Sequence, residues 1–170
     1  INKGDDYTIN IALCFANQPV FSMIYCLAKK DIYVAQKGKG AQKNNQKISV
    51  NSHSNRTATI AVSKSHSDQS LKDTLQGVFA GTKISFISCG SSLKFCLIAE
   101  GKADFYPRLG RTMEWDTCAG QLIVEEAGGL VIDINGNPLT YNKRNFANPH
   151  FYVLTSNFSE NLRKFEQRRF

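Results

Sequence analysis

The sequence predicts an α/β protein in two parts: antiparallel strands over residues 1–52 and an alternating strand–helix unit over residues 53–170. Three observations predict it. Short apolar runs crowd together at hairpin spacing at the start of the chain. A polar stretch, Asn51–Arg56, then reads as a linker. After it, strand-like and helix-like runs take turns, the pattern of helices packed on a sheet.

The elements follow in order. Tyr7–Phe15, Val20–Leu27 and Asp31–Gln36 read as strands, with turns at Asn17-Gln18-Pro19 and Ala28-Lys29-Lys30. Gly38-Lys39-Gly40 leads toward a further extended segment at Lys47–Val50. Beyond the linker come a strand at Thr59–Ser63, a helix around Asp68–Val78, a strand at Lys83–Ser88, a helix at Leu93–Glu100 and a strand at Ala103–Tyr106. Asp116 then opens a helix as its N-cap, because a carboxylate accepts N–H groups of the first turn. Ala119, Leu122, Ile123 and Ala127 recur at helical spacing, and Gly128 or Gly129 supplies a left-handed C-cap. Strands at Leu130–Ile134 and Phe151–Thr155 and a terminal helix near Glu160–Arg168 complete the chain.

Composition bounds the function classes. A chain of 170 residues that is 42% hydrophobic holds one core, or one core plus an appended sheet. No stretch approaches the roughly 18 apolar residues of a membrane span, and no charged-then-apolar signal opens the chain. Cys14, Cys26, Cys89, Cys96 and Cys118 have no C-x-x-C spacing and lie in apolar contexts. They read as buried, reduced thiols of a cytoplasmic protein. The net charge of +7 is scattered through turns, apart from a basic cluster in the last helix. Without interleaved aromatics or a reading motif, it does not indicate a nucleic-acid polymer as partner. It does suit steering of small anionic substrates.

Several residues carry candidate chemistry. Gly90-Ser91-Ser92 joins a strand to a helix, and small residues at such a turn expose N–H groups to an anion. Lys94 lies in the apolar run Leu93–Ile98, so it needs a solvent-facing slot or an anionic partner. In Tyr106-Pro107-Arg108 the proline stops ladder pairing and turns the chain outward. Arg108 can then bind phosphate bidentately while the tyrosine packs on a base or ribose. Arg111 competes for that role with less motif support. Ser63-Lys64-Ser65-His66 follows a strand, whereas His53 and His150 have no comparable context.

Taken together, Gly90-Ser91-Ser92-Leu93-Lys94-Phe95, Ala99-Glu100-Gly101, Tyr106-Pro107-Arg108 and the Trp115-Asp116 segment resemble the magnesium-dependent, lithium-sensitive phosphatase superfamily that includes the inositol monophosphatases. Within it they look most like the bacterial 3'(2'),5'-bisphosphate nucleotidases of the CysQ type, over about Gly4 to Leu154. The resemblance implies a layered sugar-phosphatase fold and a Mg2+ cofactor, with Asp116 as one metal ligand. It assigns Ser63, His66, Gly90, Ser91, Lys94 and Arg108 to a phosphorylated nucleotide. Lys64 stands where arginine is more usual, which keeps the charge and loses the fork.

The same resemblance exposes a gap. Members carry an Asp-Pro-(Ile/Leu)-Asp-Gly-Thr loop just before a segment like Gly4–Leu13 and a Glu-Glu pair further upstream, and these supply most metal ligands. No Asp-Gly-Thr occurs in the sequence, and Glu125-Glu126 falls in the wrong helix to stand in. The expectation is therefore a carboxy-terminal portion of such an enzyme, inactive alone, whose first 50 residues are left uncovered and pair with a second copy. The complete enzyme would remove the 3'-phosphate of adenosine 3',5'-bisphosphate. The competing readings are an inositol or fructose phosphatase relative, or a non-catalytic protein that binds phosphorylated ligands or oligomerises.

Overall fold

A computed structural model describes residues 5–52, 57–64, 69–79 and 83–158. His53, His66 and the expected helix at 160–168 lie outside the described residues.

The first sheet is a five-stranded antiparallel meander in chain order: β1 (Thr8–Phe15), β2 (Gln18–Cys26), β3 (Asp31–Gln36), β4 (Gly40–Lys43) and β5 (Gln46–Ile48). Ala16 and Asn17 (φ 48° and 62°) close the first hairpin, and Asn44 and Asn45 (φ 50° and 65°) close the last. Positive φ at both central residues matches the right-handed twist of the flanking strands. The first turn is thus tighter than expected, and Gln18 and Pro19 belong to β2. Pro19 sits opposite Cys14, beside a register shift between Leu13 and Cys14. β4 is a strand where only a lead-in was expected; Asn44-Asn45 was its signal.

The second sheet holds β6 (Thr57–Ser63), β7 (Lys83–Cys89), β8 (Phe105–Arg108), β9 (Gly129–Asp133) and β10 (Phe151–Thr155) in the order β7-β6-β8-β10-β9. β6 runs parallel to β7 and β8, and β10 runs antiparallel to β8 and β9. Among the described residues α1 (Gln69–Val78) follows β6, α2 (Leu93–Ala99) follows β7 and α3 (Glu114–Glu126) follows β8.

Two expectations are corrected here. Pro107 does not end pairing, since it lies opposite Tyr152 and the register runs on to Arg108 opposite Phe151. β6 meets β8 only at Ile60–Phe105, so past that point one side of β8 has no ladder partner to miss the proline's absent N–H. Asp116 is not the N-cap of α3. Met113, extended (φ −114°, ψ 164°) and bridged to Ala147, holds that position. Asp116 sits three residues on and accepts the Met113 N–H at Oδ2, 2.8 Å away. At the other end Gly128 takes φ +93°, as a left-handed helix stop requires.

The layers alternate sheet, helix, sheet, helix. One cluster joins Ile24, Tyr33 and Ala35 of the first sheet to Phe95 and Ile98 of α2, Leu122 and Ile123 of α3, and Phe151 and Val153 of β10. Across the second sheet, Tyr152 and Leu154 pack with Ile60, Leu75 of α1 and Phe105. The alternation along β10 is the two-residue period of a strand buried on both faces. Adjacent parallel strands β6 and β7 therefore send their following helices to opposite faces. In open α/β sheets the crevice outside the carboxyl ends of such strands is where ligands bind. Four of the five cysteines are buried as expected, whereas Cys14 is exposed. Among the described residues no helix is long and apolar enough to cross a membrane.

Candidate functional site

Ser63 ends β6, Gly90–Ser92 follow β7, Arg108 ends β8 and Asp116 lies in the first turn of α3. These ends converge. Ser63, Ser91, Lys94, Arg108 and Asp116 all line one cavity of about 240 Å³, with Asn10, Arg111 and Thr117 beside them. Gly90, in the same turn as Ser91, does not line it.

Lys94 is 4% exposed and finds a solution other than the slot or anion the sequence called for. Its Nζ donates to the carbonyls of Cys89 (3.1 Å) and Ser91 (2.8 Å) and lies 5.3 Å from the centre of the Tyr106 ring. An ammonium has three donors, so one remains for the cavity. Burial depresses the lysine's pKa, and the Arg108 charge pushes the same way. Both effects would be relieved by an anion. Tyr106 is itself buried, edge-on to Phe95 and Phe151, so its ring is a floor beneath Lys94.

The turn at Gly90–Ser92 is braced from the first sheet. The Gly90 N–H donates to Asp6 Oδ2 (3.0 Å), and Lys64 Nζ reaches the same oxygen (2.6 Å). The Lys64 bond, with help from Gly90, holds the Asp6 carboxyl below its usual range. The Gly90 N–H expected to meet a ligand anion is thus taken by a carboxylate of the chain. Ser91 adopts φ +50°, and its hydroxyl lies 2.6 Å from that of Thr8. Ser92 precedes α2 but donates to Asn10 Oδ1 (2.8 Å) and makes no side-chain cap. Asp6, Thr8 and Asn10 were missed from sequence because the turn they brace, Gly90–Ser92, lies more than 80 residues away; the alternation of polar Thr8 and Asn10 with Ile9 and Ile11 was the only hint.

Arg108 donates one Nη2 bond to the Arg111 carbonyl (3.2 Å). Its buried Nε has no hydrogen-bond partner, a condition shared among the described residues only by Ser22 Oγ. A buried unmet donor costs about 1–3 kcal/mol, which an incoming phosphate oxygen would recover. Arg111, the weaker candidate from sequence, lines the same cavity.

Asp116 is held in a frame built by Glu114 and Asn148. The Glu114 carboxylate accepts the N–H groups of Asn142 and Lys143 (both 2.8 Å) and pairs with Lys143 Nζ (2.7 Å). Asn148 Nδ2 donates to the Met113 carbonyl (2.7 Å) and to Thr117 Oγ1 (3.0 Å). These bonds pin the residues on either side of Asp116.

A magnesium ion takes one or two carboxylates together with other oxygen ligands. Among the described residues Asp116 is the one carboxylate on the cavity, and one of its oxygens already accepts a backbone N–H. Among the described residues no three His, Cys, Asp or Glu groups lie close enough to hold a metal. Glu126 is engaged elsewhere, accepting the Gly38 and Gly40 N–H groups at 2.7 Å each. The described residues alone therefore do not fit a magnesium centre.

Comparison with known proteins bears on this arrangement. The profile of the Inositol monophosphatase family matches residues 1–167. The chain belongs to the inositol monophosphatase family. Within this family the identities separate. The chain is 37% identical over 155 residues to the 3'(2'),5'-bisphosphate nucleotidase CysQ of Escherichia coli (strain K12), covering 90% of the chain and 62% of that protein. The crystal structure of CysQ from Bacteroides thetaiotaomicron superposes with a TM-score of 0.80 at 34% identity, over 89% of the chain and 63% of that one. Inositol monophosphatase-II from Staphylococcus aureus MSSA476 has a similar TM-score, 0.81, at 21% identity, over 97% and 61%, and so shares the fold. The sequence likeness thus lies with the CysQ type. The chain spans about 62% of the length of the curated relative.

Proposed function

We propose that this chain is the phosphate-binding, carboxy-terminal portion of a magnesium-dependent phosphatase acting on a bisphosphorylated nucleotide. By its likeness to the CysQ nucleotidases, the substrate is adenosine 3',5'-bisphosphate and the 3'-phosphate is removed. The observation that carries the reading is the meeting of Lys94, Arg108 and Asp116 on one small cavity. Lys94 and Arg108, with Arg111 on the same cavity, answer a second anionic group, which an inositol monophosphate lacks. The unmet Arg108 Nε supports the same reading.

In this reading the third Lys94 N–H and the Arg108 guanidinium orient the phosphate that is not transferred, and the Ser91 hydroxyl borders it. His66, from its position after β6, is assigned to the nucleotide on the resemblance alone. Asp116 offers one oxygen toward magnesium, whose charge would offset that developing on the transferring phosphoryl group. The other ligands come from residues outside this chain, and residues 1–52 form a sheet completed by such residues. Alone, the chain binds without turning over, its apolar outer face covered by a second copy.

The test is titration calorimetry of this chain with adenosine 3',5'-bisphosphate and with adenosine 5'-monophosphate. Tighter binding of the bisphosphate is expected. Equal affinity for the two would overturn the assignment of Lys94 and Arg108. Magnesium-dependent phosphate release by this chain, abolished by EDTA and by Asp116→Asn, would overturn the division of the metal site.

A further inference from the structure

Cys14 and Cys118 are separated by 104 residues, yet their sulfurs lie 3.2 Å apart. Cys14 is exposed on the edge strand β1. Cys118 is buried in α3, two residues beyond Asp116. Neither takes part in the phosphate-facing cavity. Both border a separate, larger cavity of about 750 Å³, which gives a small oxidant a way in. Cys14 also sits where β1 departs from regular pairing, at the register shift after Leu13. A residue at such an irregularity is held less firmly by the ladder. Closing the sulfurs to a bond of about 2.05 Å is therefore a small local movement.

We propose that Cys14 and Cys118 form a redox-modifiable pair that closes to an intramolecular disulfide, tying the edge strand β1 to the first turns of α3. Hydrogen peroxide is a sufficient oxidant. The Cys14 sulfur attacks one peroxide oxygen, the O–O bond breaks, and the departing hydroxide takes the thiol proton as water. The resulting sulfenic acid is attacked by the Cys118 sulfur; the S–O bond breaks, and the second water leaves with the Cys118 proton. Two thiols and one peroxide thus give one disulfide and two waters. The new bond spans the layers that carry Asp6, Thr8 and Asn10 on one side and Asp116 on the other. It fixes the distance between them.

The experiment treats the folded chain with a few equivalents of hydrogen peroxide, then maps peptides without reduction. The expected result is a mass loss of two hydrogens, disappearance of two of the five thiols, and a cross-linked peptide joining Cys14 to Cys118. The melting temperature should rise by about 5 °C or more and return on adding dithiothreitol, because the closed loop is long. With Cys118→Ser, Cys14 should instead stop at a sulfenic acid that dimedone traps. Cys14 ending as a sulfinic acid in the unmodified chain, or joined to Cys26 or to a second copy, would overturn the proposal. So would a cross-link that leaves the melting temperature unchanged.

Discussion

The Gly90 N–H donates to Oδ2 of Asp6 across 3.0 Å, so a carboxylate from just before β1 clamps the turn that carries Ser91 into the cavity. The approach is close. A Cβ on residue 90 would lie 2.9 Å from the Asp6 Cβ, which makes glycine a requirement of this clamp. Gly90→Ala should therefore destabilise the fold by about 1–3 kcal/mol, the usual cost of overpacking. Asp6→Asn should cost less, about 1 kcal/mol, because its Lys64 partner is half exposed and screened by solvent. Urea denaturation of both variants checks the order. A larger loss for Asp6→Asn would mean that the ion pair, and not the fit at Gly90, holds the turn.

Arg108→Lys tests the site with little effect on the fold. The substitution keeps the charge and removes the guanidinium fork. Binding of adenosine 3',5'-bisphosphate should weaken about tenfold, the loss of one charge-assisted hydrogen bond at about 1.5 kcal/mol. Affinity for the 5'-monophosphate should fall less. Lys94→Ala is expected to lower both affinity and stability, since it strands the carbonyls of Cys89 and Ser91 as well. Titration calorimetry beside thermal melts separates the two effects.

Gly120 governs how closely α3 approaches α2. A Cβ at this position would fall 2.4 Å from Cγ of Phe95, which is buried against Tyr106 and Phe151 and has nowhere to swing. Gly120→Ala should cost about 1–3 kcal/mol despite its better helix propensity. Because Phe95 also lines the cavity, nucleotide affinity should fall with stability. An unchanged melting temperature would show that the two helices separate freely.

Acid should loosen the frame around Asp116. Burial alone would push the Glu114 carboxyl up, but its bonds from Lys143 and the Asn142 and Lys143 N–H groups outweigh this and hold it below its ordinary 4.5. A group whose native pKa is lowered adds stability above its unfolded value and loses it as pH falls through the native one. Glu114→Gln should thus be about 1–3 kcal/mol less stable than the unmodified chain at pH 7. The gap should shrink as the pH falls below the ordinary carboxyl value of 4.5. Urea melts at pH 7 and pH 3 measure it; an equal gap at both would assign the Glu114 contribution to packing.

Much of this was legible in the sequence, because periodicity and turn residues are local signals. The strands of both sheets apart from β4, and the helices after β7 and β8, follow from them, as does the left-handed stop at Gly128. The start of α3 was misplaced by three residues, Asp116 having been read as the N-cap that Met113 provides. Met113 is extended only because it bridges Ala147, a contact invisible to local reading. Pro107 was misread for a similar reason: its tolerance depends on which side of β8 lacks a partner. Ser63, Ser91, Lys94, Arg108 and Asp116 were singled out through motif resemblance, and the cavity they share follows from where β6, β7 and β8 end. Asp6 and Thr8 were not found. Their partners, Gly90 and Ser91, are brought to them by the packing of one sheet against the other layer, which no local pattern encodes.

The outer face of β1 leads to the last prediction. Tyr7, Ile9, Ile11, Leu13 and Phe15 are 48–75% exposed on an edge strand, with Phe21 beside them on β2. Apolar surface left in water is unfavourable by about 25 cal/mol per Å². The unpaired side of an edge strand also offers backbone donors and acceptors to another chain. A second copy satisfies both demands at once, and a twofold pair is the simplest closed arrangement. Light scattering of this chain at micromolar concentration should report a dimer or larger assembly. Ile9→Lys with Ile11→Lys should return it to a monomer while leaving the melting behaviour of the second sheet in place, since neither side chain is part of the buried core. A stable monomer for the unmodified chain would defeat the idea. The same outcome would leave the Arg108 and Glu114 predictions standing, because the cavity and its frame are built from residues on the opposite side of β1.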